Sequence, residues 1–415
     1  MNNKKKYYTA LVLLAVSYVS MYYVPYLYYY FGNQMVEYFN TDLPTIASFV
    51  QVYGTVAFIL YIPAGVVADM FGAKKLMVLS LAMTSVLSLL YGMTTSVSVV
   101  KWITIGMAVS TILTFWSAWL KSIARAGGPG ESAKSFGLVY SMTGIFTVLF
   151  GTICTFIVGD DSSNLKWVLY FYAVVFALTA VLVQLVFPND HDGDVKENED
   201  EKFHLRSVLD VAKMPVVWYI GLAAMAWYMF QSTTATYNQY LPEVYNLTFK
   251  QTSFVSVWRT NGVIILAGPT AIYLQSKVRQ TTKAMNILGG VAAALIAALI
   301  LLPNQSTLAV PAIILVLAIA FMSLGSRSIY YATVEEAKIP MKVVGTATGI
   351  ISLIAYISDM FIHTIAAKMI TNEAGEVYMP GFKNLFTFQY AILAFAVVMT
   401  LLIYKEVKKA NKKVA

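Results

Sequence analysis

Phe254-Val-Ser-Val-Trp-Arg-Thr260 repeats, position by position, the pattern of Phe49-Val-Gln-Val-Tyr-Gly-Thr55. Both stretches open apolar segments long enough to cross a membrane. A second pair, Lys121-Ser-Ile123 and Arg327-Ser-Ile329, closes two further apolar segments. Counted along the chain, the first pair lies in the second and eighth segments and the second pair in the fourth and tenth. Each match alone is short. Together they describe a six-plus-six duplication, the weak internal symmetry common in membrane transporters.

The composition agrees. The 415 residues are 58% hydrophobic and 12% charged, and the mean hydropathy is +0.66. Soluble domains carry about 25% charged residues, so the outer surface of this chain faces lipid. About 20 apolar residues cross a ~30 Å hydrocarbon core. Spans are predicted at 8–31, 45–68, 76–93, 99–121, 135–158, 167–187, 216–241, 252–275, 285–302, 308–331, 344–369 and 385–404. The fold class expected is an all-α membrane protein of twelve transmembrane helices in two pseudo-symmetric six-helix bundles. Residues 1–187 form the first bundle and 214–415 the second. Between them, 188–213 breaks the pattern with an acidic run from Asp190 to Glu201, read as a solvated cytoplasmic linker.

Lysines and arginines set the orientation. With the N-terminus inside, 22 of the 29 fall in cytoplasmic segments and five (Lys101, Lys166, Lys250, Lys368, Lys383) on the other side, leaving Arg259 and Arg327 within spans. The net charge of +8 is thus a topology signal and gives no reason to expect nucleic acid as a partner. Lys4–Lys6 precede a long apolar run with no A-x-A-like cleavage site, so the first span is expected to stay in place. Cys154 is the single cysteine and His191, His204 and His363 are scattered. No disulfide, metal site or cofactor is expected.

The duplication exposes an asymmetry: Gly54 of the first half corresponds to Arg259 of the second. Arg259, Arg327 and Asp359 are the charges that lie well inside the apolar segments. A charge at bilayer depth costs about 2.5–3.5 kcal/mol even on the mildest scale, so such residues usually face a polar cavity.

After the second span the chain reads Gly65-Val-Val-Ala-Asp69-Met-Phe-Gly72-Ala-Lys74-Lys75. Gly65 permits close helix approach and Gly72 a tight turn. Asp69 suits a helix N-terminus, and Lys74 and Lys75 hold the loop on the cytoplasmic side. The stretch reads as a gating latch, or else as a plain basic turn. It resembles the major facilitator superfamily motif G-x-x-x-D-[RK]-x-G-[RK]-[RK], with Met70 and Ala73 at two usually basic positions. The resemblance extends over the whole chain and implies a secondary transporter working by alternating access. A narrower resemblance is carried by Trp119-Leu-Lys-Ser-Ile123, by Arg327 to Glu336 with Ile339-Pro, and by Gly345-Thr-Ala-Thr-Gly349 to Asp359. It is to a bacterial inner-membrane branch related to nitrate and sugar-phosphate porters. That resemblance implies that an arginine of the eighth span binds the substrate's negative charge. Arg259 is in that span, and the second span has no matching cation, which points from nitrate toward a larger organic anion of carboxylate or sugar-acid type.

Arg259 lies about seven residues, or ~10 Å, into its span. It reads as an anion clamp, because a guanidinium grips a carboxylate bidentately, or as half of a structural ion pair. Asp359, with His363 at i+4 on one helical face, reads as a coupling-proton site, or as a carboxylate neutralised by Arg259 or Arg327. Arg327, Glu335 and Glu336 read as an inner gate with Lys121 as first-half counterpart. Tyr18, Tyr22 and Tyr29 fall at helical spacing in the first span, with Pro25 between them. Tyr18 and Tyr22, the deeper pair, read as cavity-lining or as part of an aromatic belt, and Tyr28–Tyr30 read as an interfacial aromatic belt. Gln231, Thr234, Tyr237 and Asn238 put polar groups on one side of the seventh span, and Trp116 and Trp119 lie a turn apart in the fourth. The family resemblance implies that spans one, four, seven and ten line the cavity. That makes Arg259, Tyr18, Tyr22, Trp116, Gln231, Tyr237 and Asn238 the expected substrate shell.

The chain carries no Walker-type phosphate loop and no nucleophile–base constellation, so neither a nucleotide-driven pump nor an enzyme is expected. The partners expected are a small-molecule substrate, the lipid bilayer and a coupling proton or ion, with the chain acting as a monomer in the bacterial plasma membrane. Efflux of amphipathic compounds and a non-transporting sensor are the competing readings. The linker at 188–213 is short for a sensor's output module. The charge count predicts that both termini and residue 196 are cytoplasmic. A cysteine placed at 196 in a Cys154→Ser background will resist an impermeant maleimide added to intact cells; labelling from outside contradicts the topology.

Overall fold

The computed structural model describes residues 3–127, 132–187, 205–340 and 343–414. Most of the acidic linker, 188–204, lies outside the described residues. Among those described, every named element is a helix, and the extended chain contributes one isolated bridge, Thr371 to Val377. Ten helical stretches are long and apolar enough to cross a membrane. The other two expected spans, 216–241 and 252–275, are also helical but interrupted. The chain clusters into two compact units. One is Met1–Val195 with Thr248–Val257; the other is Lys196–Leu247 with Trp258–Ala415.

In the first unit, the opening span is two helices, α1 (Asn3–Tyr23) and α2 (Tyr28–Tyr38). Pro25 lies in the turn between them, where its missing N–H leaves a helix without a partner. The apolar stretch expected to end at 31 therefore continues to Tyr38. α3 (Leu43–Phe71) starts where Asp42 accepts from the Thr45 N–H at 2.7 Å, with Pro44 in the first turn. It is followed by α4 (Ala73–Gly92), α5 (Val97–Ala108), a π-helical stretch Val109–Trp116, α6 (Ser117–Gly127), α7 (Ser132–Val158) and α8 (Leu165–Val186). α4 packs on α8 through small and hydroxyl residues. Ser85 and Ser88 donate to the Ala173 and Leu169 carbonyls at 2.7 and 2.8 Å. Where water and lipid supply no partner, such side chains hold helices together.

The aromatic belt expected at Tyr28–Tyr30 is not there. All three are buried, and Tyr30 stacks on Tyr23 at 4.1 Å, which in turn stacks on Tyr172 at 4.7 Å. These rings form a packed core, and the break at Pro25 is what turns them inward.

The second unit contains α9 (Leu205–Ala212), α10 (Pro215–Thr233), a 3₁₀ turn Thr234–Thr236 and α11 (Tyr237–Tyr245). α12 (Phe249–Val257) clusters with the first unit. The chain re-enters the second at a π-helical turn, Trp258–Gly262, leading into α13 (Ile264–Val278). Then come α14 (Thr281–Leu301), α15 (Ala309–Ile329), α16 (Ala332–Glu336), α17 (Val344–Tyr356), a 3₁₀ turn Ile357–Met360, α18 (Ile362–Ile370) and α19 (Met379–Val414). α10 is the hub, packed on α15, α17 and α19.

Gly72 joins α3 to α4 with φ 77° and ψ 145°, a region that a Cβ makes costly by about 1–3 kcal/mol. Gly72→Ala will lower the thermal unfolding midpoint in detergent by several degrees. An unchanged midpoint contradicts the conformational role.

Candidate functional site

Span seven carries its polar groups across a change of helical geometry. The 3₁₀ turn at Thr234–Thr236 re-phases the helix, so that oxygens from both sides of the break meet the two interior arginines. Arg259 is 2% exposed. Its Nη1 donates to Thr234 Oγ1 at 3.0 Å and its Nη2 to Asn238 Oδ1 at 3.3 Å. Arg327 Nη1 donates to Gln231 Oε1 at 2.5 Å. The arginines come from different spans, and the acceptors all come from the seventh. These acceptors are neutral, so they orient each fork without neutralising it. Hydrogen bonds to a charged group contribute about 1.5–3 kcal/mol each, which matches the cost of holding one cation at bilayer depth.

Arg259 sits in the π-helical turn. A π turn admits one extra residue and pushes a side chain out of the regular helical row, and such turns concentrate at functional sites. The sequence signal was Asn261-Gly262, a turn dipeptide inside an otherwise apolar span. Gln389 of α19 was also missed. It is fully buried and ties Tyr237, whose hydroxyl donates to its Oε1 at 2.9 Å, to Thr233, which accepts from its Nε2 at 3.1 Å. Tyr237 thus braces this part of span seven.

Asp359 and His363 are together, as their spacing predicts, but not on a regular helix. Asp359 lies in the 3₁₀ turn, and Phe361 (φ −148°) separates it from α18. The carboxylate Oδ1 is 3.0 Å from His363 Nε2, and Oδ2 accepts from the Tyr228 hydroxyl at 2.9 Å. Both residues are buried. Tyr228, which the sequence reading passed over, also offers its ring to Arg327, whose Cζ is 5.0 Å from the centroid.

The residues read as an inner gate are engaged differently. Glu336 accepts from the Thr282 N–H at 3.0 Å and from its hydroxyl at 2.8 Å, at the start of α14. A carboxylate there is favoured by the helix dipole. Glu335 is exposed and Lys121 half-buried. Arg327 meets Gln231 and Tyr228, so the structure joins the arginine to span seven and Glu336 to the start of α14.

In the first unit, Tyr18, Tyr22 and Trp116 are half-buried. Tyr18 stacks on Trp119 at 4.7 Å, and Trp116 lies 5.8 Å from Trp119. Trp119 itself is fully buried, its indole donating to the Leu14 carbonyl at 2.9 Å. It is a structural backing against which the rings of Tyr18 and Trp116 rest, while Tyr22 packs on Tyr18 and Trp116. Gly65 falls within α3, and the side chain of Asp69 lies outside the described residues. Lys75 is exposed. Lys74 turns back onto its own unit. It is 8% exposed and donates to the Phe187 carbonyl at 2.8 Å, closing the C-terminal end of α8.

The family model described as Major Facilitator Superfamily matches residues 9–362. The inner membrane protein YqcE of Escherichia coli (strain K12) is 27% identical over 395 residues, covering 93% of this chain and 92% of the relative. The inner membrane protein YihN of the same organism is 20% identical over 304 residues, or 72% of each chain. Among solved structures, the nucleoside transporter NupG superposes with a TM-score of 0.73 at 14% identity, covering 98% of this chain and 100% of that one. A bacterial homologue of the human lysosomal transporter Spinster, inward-facing and unoccupied, gives 0.69 at 14% identity, covering 96% and 97%. At these identities the solved structures share the fold.

The acceptor arrangement makes a stability prediction. Thr234→Val with Asn238→Leu removes two oxygens from a buried guanidinium and will lower the thermal midpoint by several degrees. Adding Arg259→Met, which removes the charge that needed them, will recover most of the loss. A triple variant no more stable than the double contradicts the assigned contacts.

Proposed function

The chain belongs to the major facilitator superfamily and is a multi-pass membrane transporter, and from that premise we propose that its cargo is a small organic anion of carboxylate or sugar-acid type. The observation that carries this reading is Arg259, buried in a π turn with its guanidinium held by the neutral oxygens of Thr234 and Asn238. A planar fork so oriented suits two parallel hydrogen bonds to a carboxylate or phosphate. Gln231 and Tyr237 brace the same segment.

In this reading transport proceeds by alternating access and is driven by a coupled ion or by exchange. Asp359 is the proton site, with His363 beside it. The carboxylate Oδ2 of Asp359 accepts from the Tyr228 hydroxyl at 2.9 Å and its Oδ1 lies 3.0 Å from His363 Nε2. Asp69, Gly72, Lys74 and Lys75 serve the conformational exchange, as do Arg327 and Glu336. The location is the bacterial inner membrane, as the names of the Escherichia coli relatives support, and the loop charges support cytoplasmic termini.

The experiment is a thermal-shift screen of the purified protein against carboxylates, sugar acids, sugar phosphates, neutral nucleosides and amphipathic cations. Anions will raise the midpoint. For the best anion, Arg259→Ala will weaken binding by at least ~30-fold, the equivalent of about 2 kcal/mol for a buried charge left unpaired. Arg259→Lys, which keeps the charge and loses the fork, will fall between. Stabilisation by cations alone, undiminished in Arg259→Ala, would support efflux of amphipathic compounds and sink the anion reading.

A further inference from the structure

Three interior groups of the second unit are joined by a single side chain. Tyr228, on α10, donates its hydroxyl to Asp359 Oδ2 at 2.9 Å. Its ring lies under Arg327, 5.0 Å from Cζ. Arg327 returns to the same helix by donating to Gln231 at 2.5 Å, three residues beyond Tyr228 and therefore on the same face. The edge of Tyr356, at the end of α17, meets the Tyr228 ring at 4.9 Å and 86°. The ring is thus fixed on one side by a neighbour and loaded on the other by a cation. Tyr228 is only 7% exposed, so water does not screen either contact well.

We propose that Tyr228 is the positioning residue through which the protonation state of Asp359 controls the placement of Arg327. The proposal rests on the reading of Asp359 as the coupling-proton site. When Asp359 is ionised, the tyrosine hydroxyl donates to a carboxylate, a charge-assisted bond about twice as strong as a neutral one. That bond holds the ring where Arg327 stacks on it. When a proton arrives on Oδ2, that oxygen becomes a donor. The tyrosine hydroxyl loses its charged acceptor and must rotate or move. The same proton removes the negative charge lying beyond the ring from the guanidinium. Both changes weaken the hold on Arg327 and leave Gln231 as its anchor on α10. The inner end of α15, which carries Arg327, is then free to shift.

Facing Asp359 are Tyr228 from α10 and, 3.0 Å away, His363 from α18; Tyr356 of α17 packs on the Tyr228 ring. Arg327 of α15 acts through the ring, and Tyr330 and Tyr331 at the end of α15 lie near Tyr356. His363 competes with Tyr228 for the carboxylate but touches the other oxygen. The tyrosine contacts both the carboxylate and the guanidinium.

The test needs no cargo. A nitroxide is attached at Ser328→Cys, an exposed position next to Arg327, in the full chain carrying Cys154→Ser and held in lipid nanodiscs. Its spectral line shape is followed against pH, and the carboxyl C=O stretch of Asp359 is followed by infrared difference spectroscopy. In the parent, line shape and carboxyl band will titrate together. In Asp359→Asn both will be flat. In Tyr228→Phe, which keeps the ring and loses only the hydroxyl, the carboxyl band will still titrate while the line shape no longer follows it. Tyr228→Leu, lacking the ring, will give one mobile line shape at every pH. If Tyr228→Phe couples line shape to pH as the parent does, or if the parent's line shape ignores pH, the positioning role is overturned. If Asp359→Asn keeps the full pH response, the assignment of Asp359 as the proton site fails, a result distinct from failure of the tyrosine link.

Discussion

A charge in hydrocarbon must find its partners inside the protein, and that requirement organises the second half of this chain. Two arginines lie among apolar helices, and span seven supplies oxygens to both. Thr234 and Asn238 take Arg259, and Gln231 takes Arg327. Because the backbone of a regular helix satisfies only itself, those oxygens must come from side chains, aimed from one segment in two directions. A uniform α-helix repeats its faces every 3.6 residues. The 3₁₀ turn at Thr234–Thr236 breaks that repeat at the place where both arginines are served.

The same pattern recurs wherever chemistry enters the membrane-spanning segments of this unit. Arg259 occupies a π turn, and Asp359 a 3₁₀ turn followed by the non-helical Phe361. Arg327 is the exception, near the end of an unbroken α15, and it is reached by the side chain of Tyr228 as well as by Gln231. Discontinuous helices at functional depth are the membrane counterpart of loops at soluble active sites: irregular backbone is tolerated where protein, not lipid, surrounds it. Here the interruptions coincide with the residues that lipid would not tolerate.

Much of this was legible in the sequence. Composition and apolar length give an all-α membrane protein, and the Phe49/Phe254 and Lys121/Arg327 repeats give its duplication. Arg259, Asp359 and His363 stand out because charge and apolar surroundings are incompatible without a reason. What the sequence did not reveal was phase. Residue spacing on an ideal helix pairs Asp359 with His363 but leaves Tyr228 unseen, because that contact crosses between helices 131 positions apart. It also places Tyr28–Tyr30 at an interface when the break at Pro25 turns them into the core. It gives Lys74 no partner, where the structure has it donating to the Phe187 carbonyl at the end of α8. Spacing rules assume regular helices, and each miss lies beside an irregular one.

The central claim is that the guanidinium of Arg259, held by span seven, is where cargo binds. The most direct measurement is an experimental structure of the protein with its most stabilising anion bound. The account predicts density for the anion's charged group within hydrogen-bond reach of Arg259, with Thr234 and Asn238 still accepting from the same guanidinium. An anion bound with its charged group away from Arg259, while Arg259 stays engaged only with protein oxygens, would contradict it.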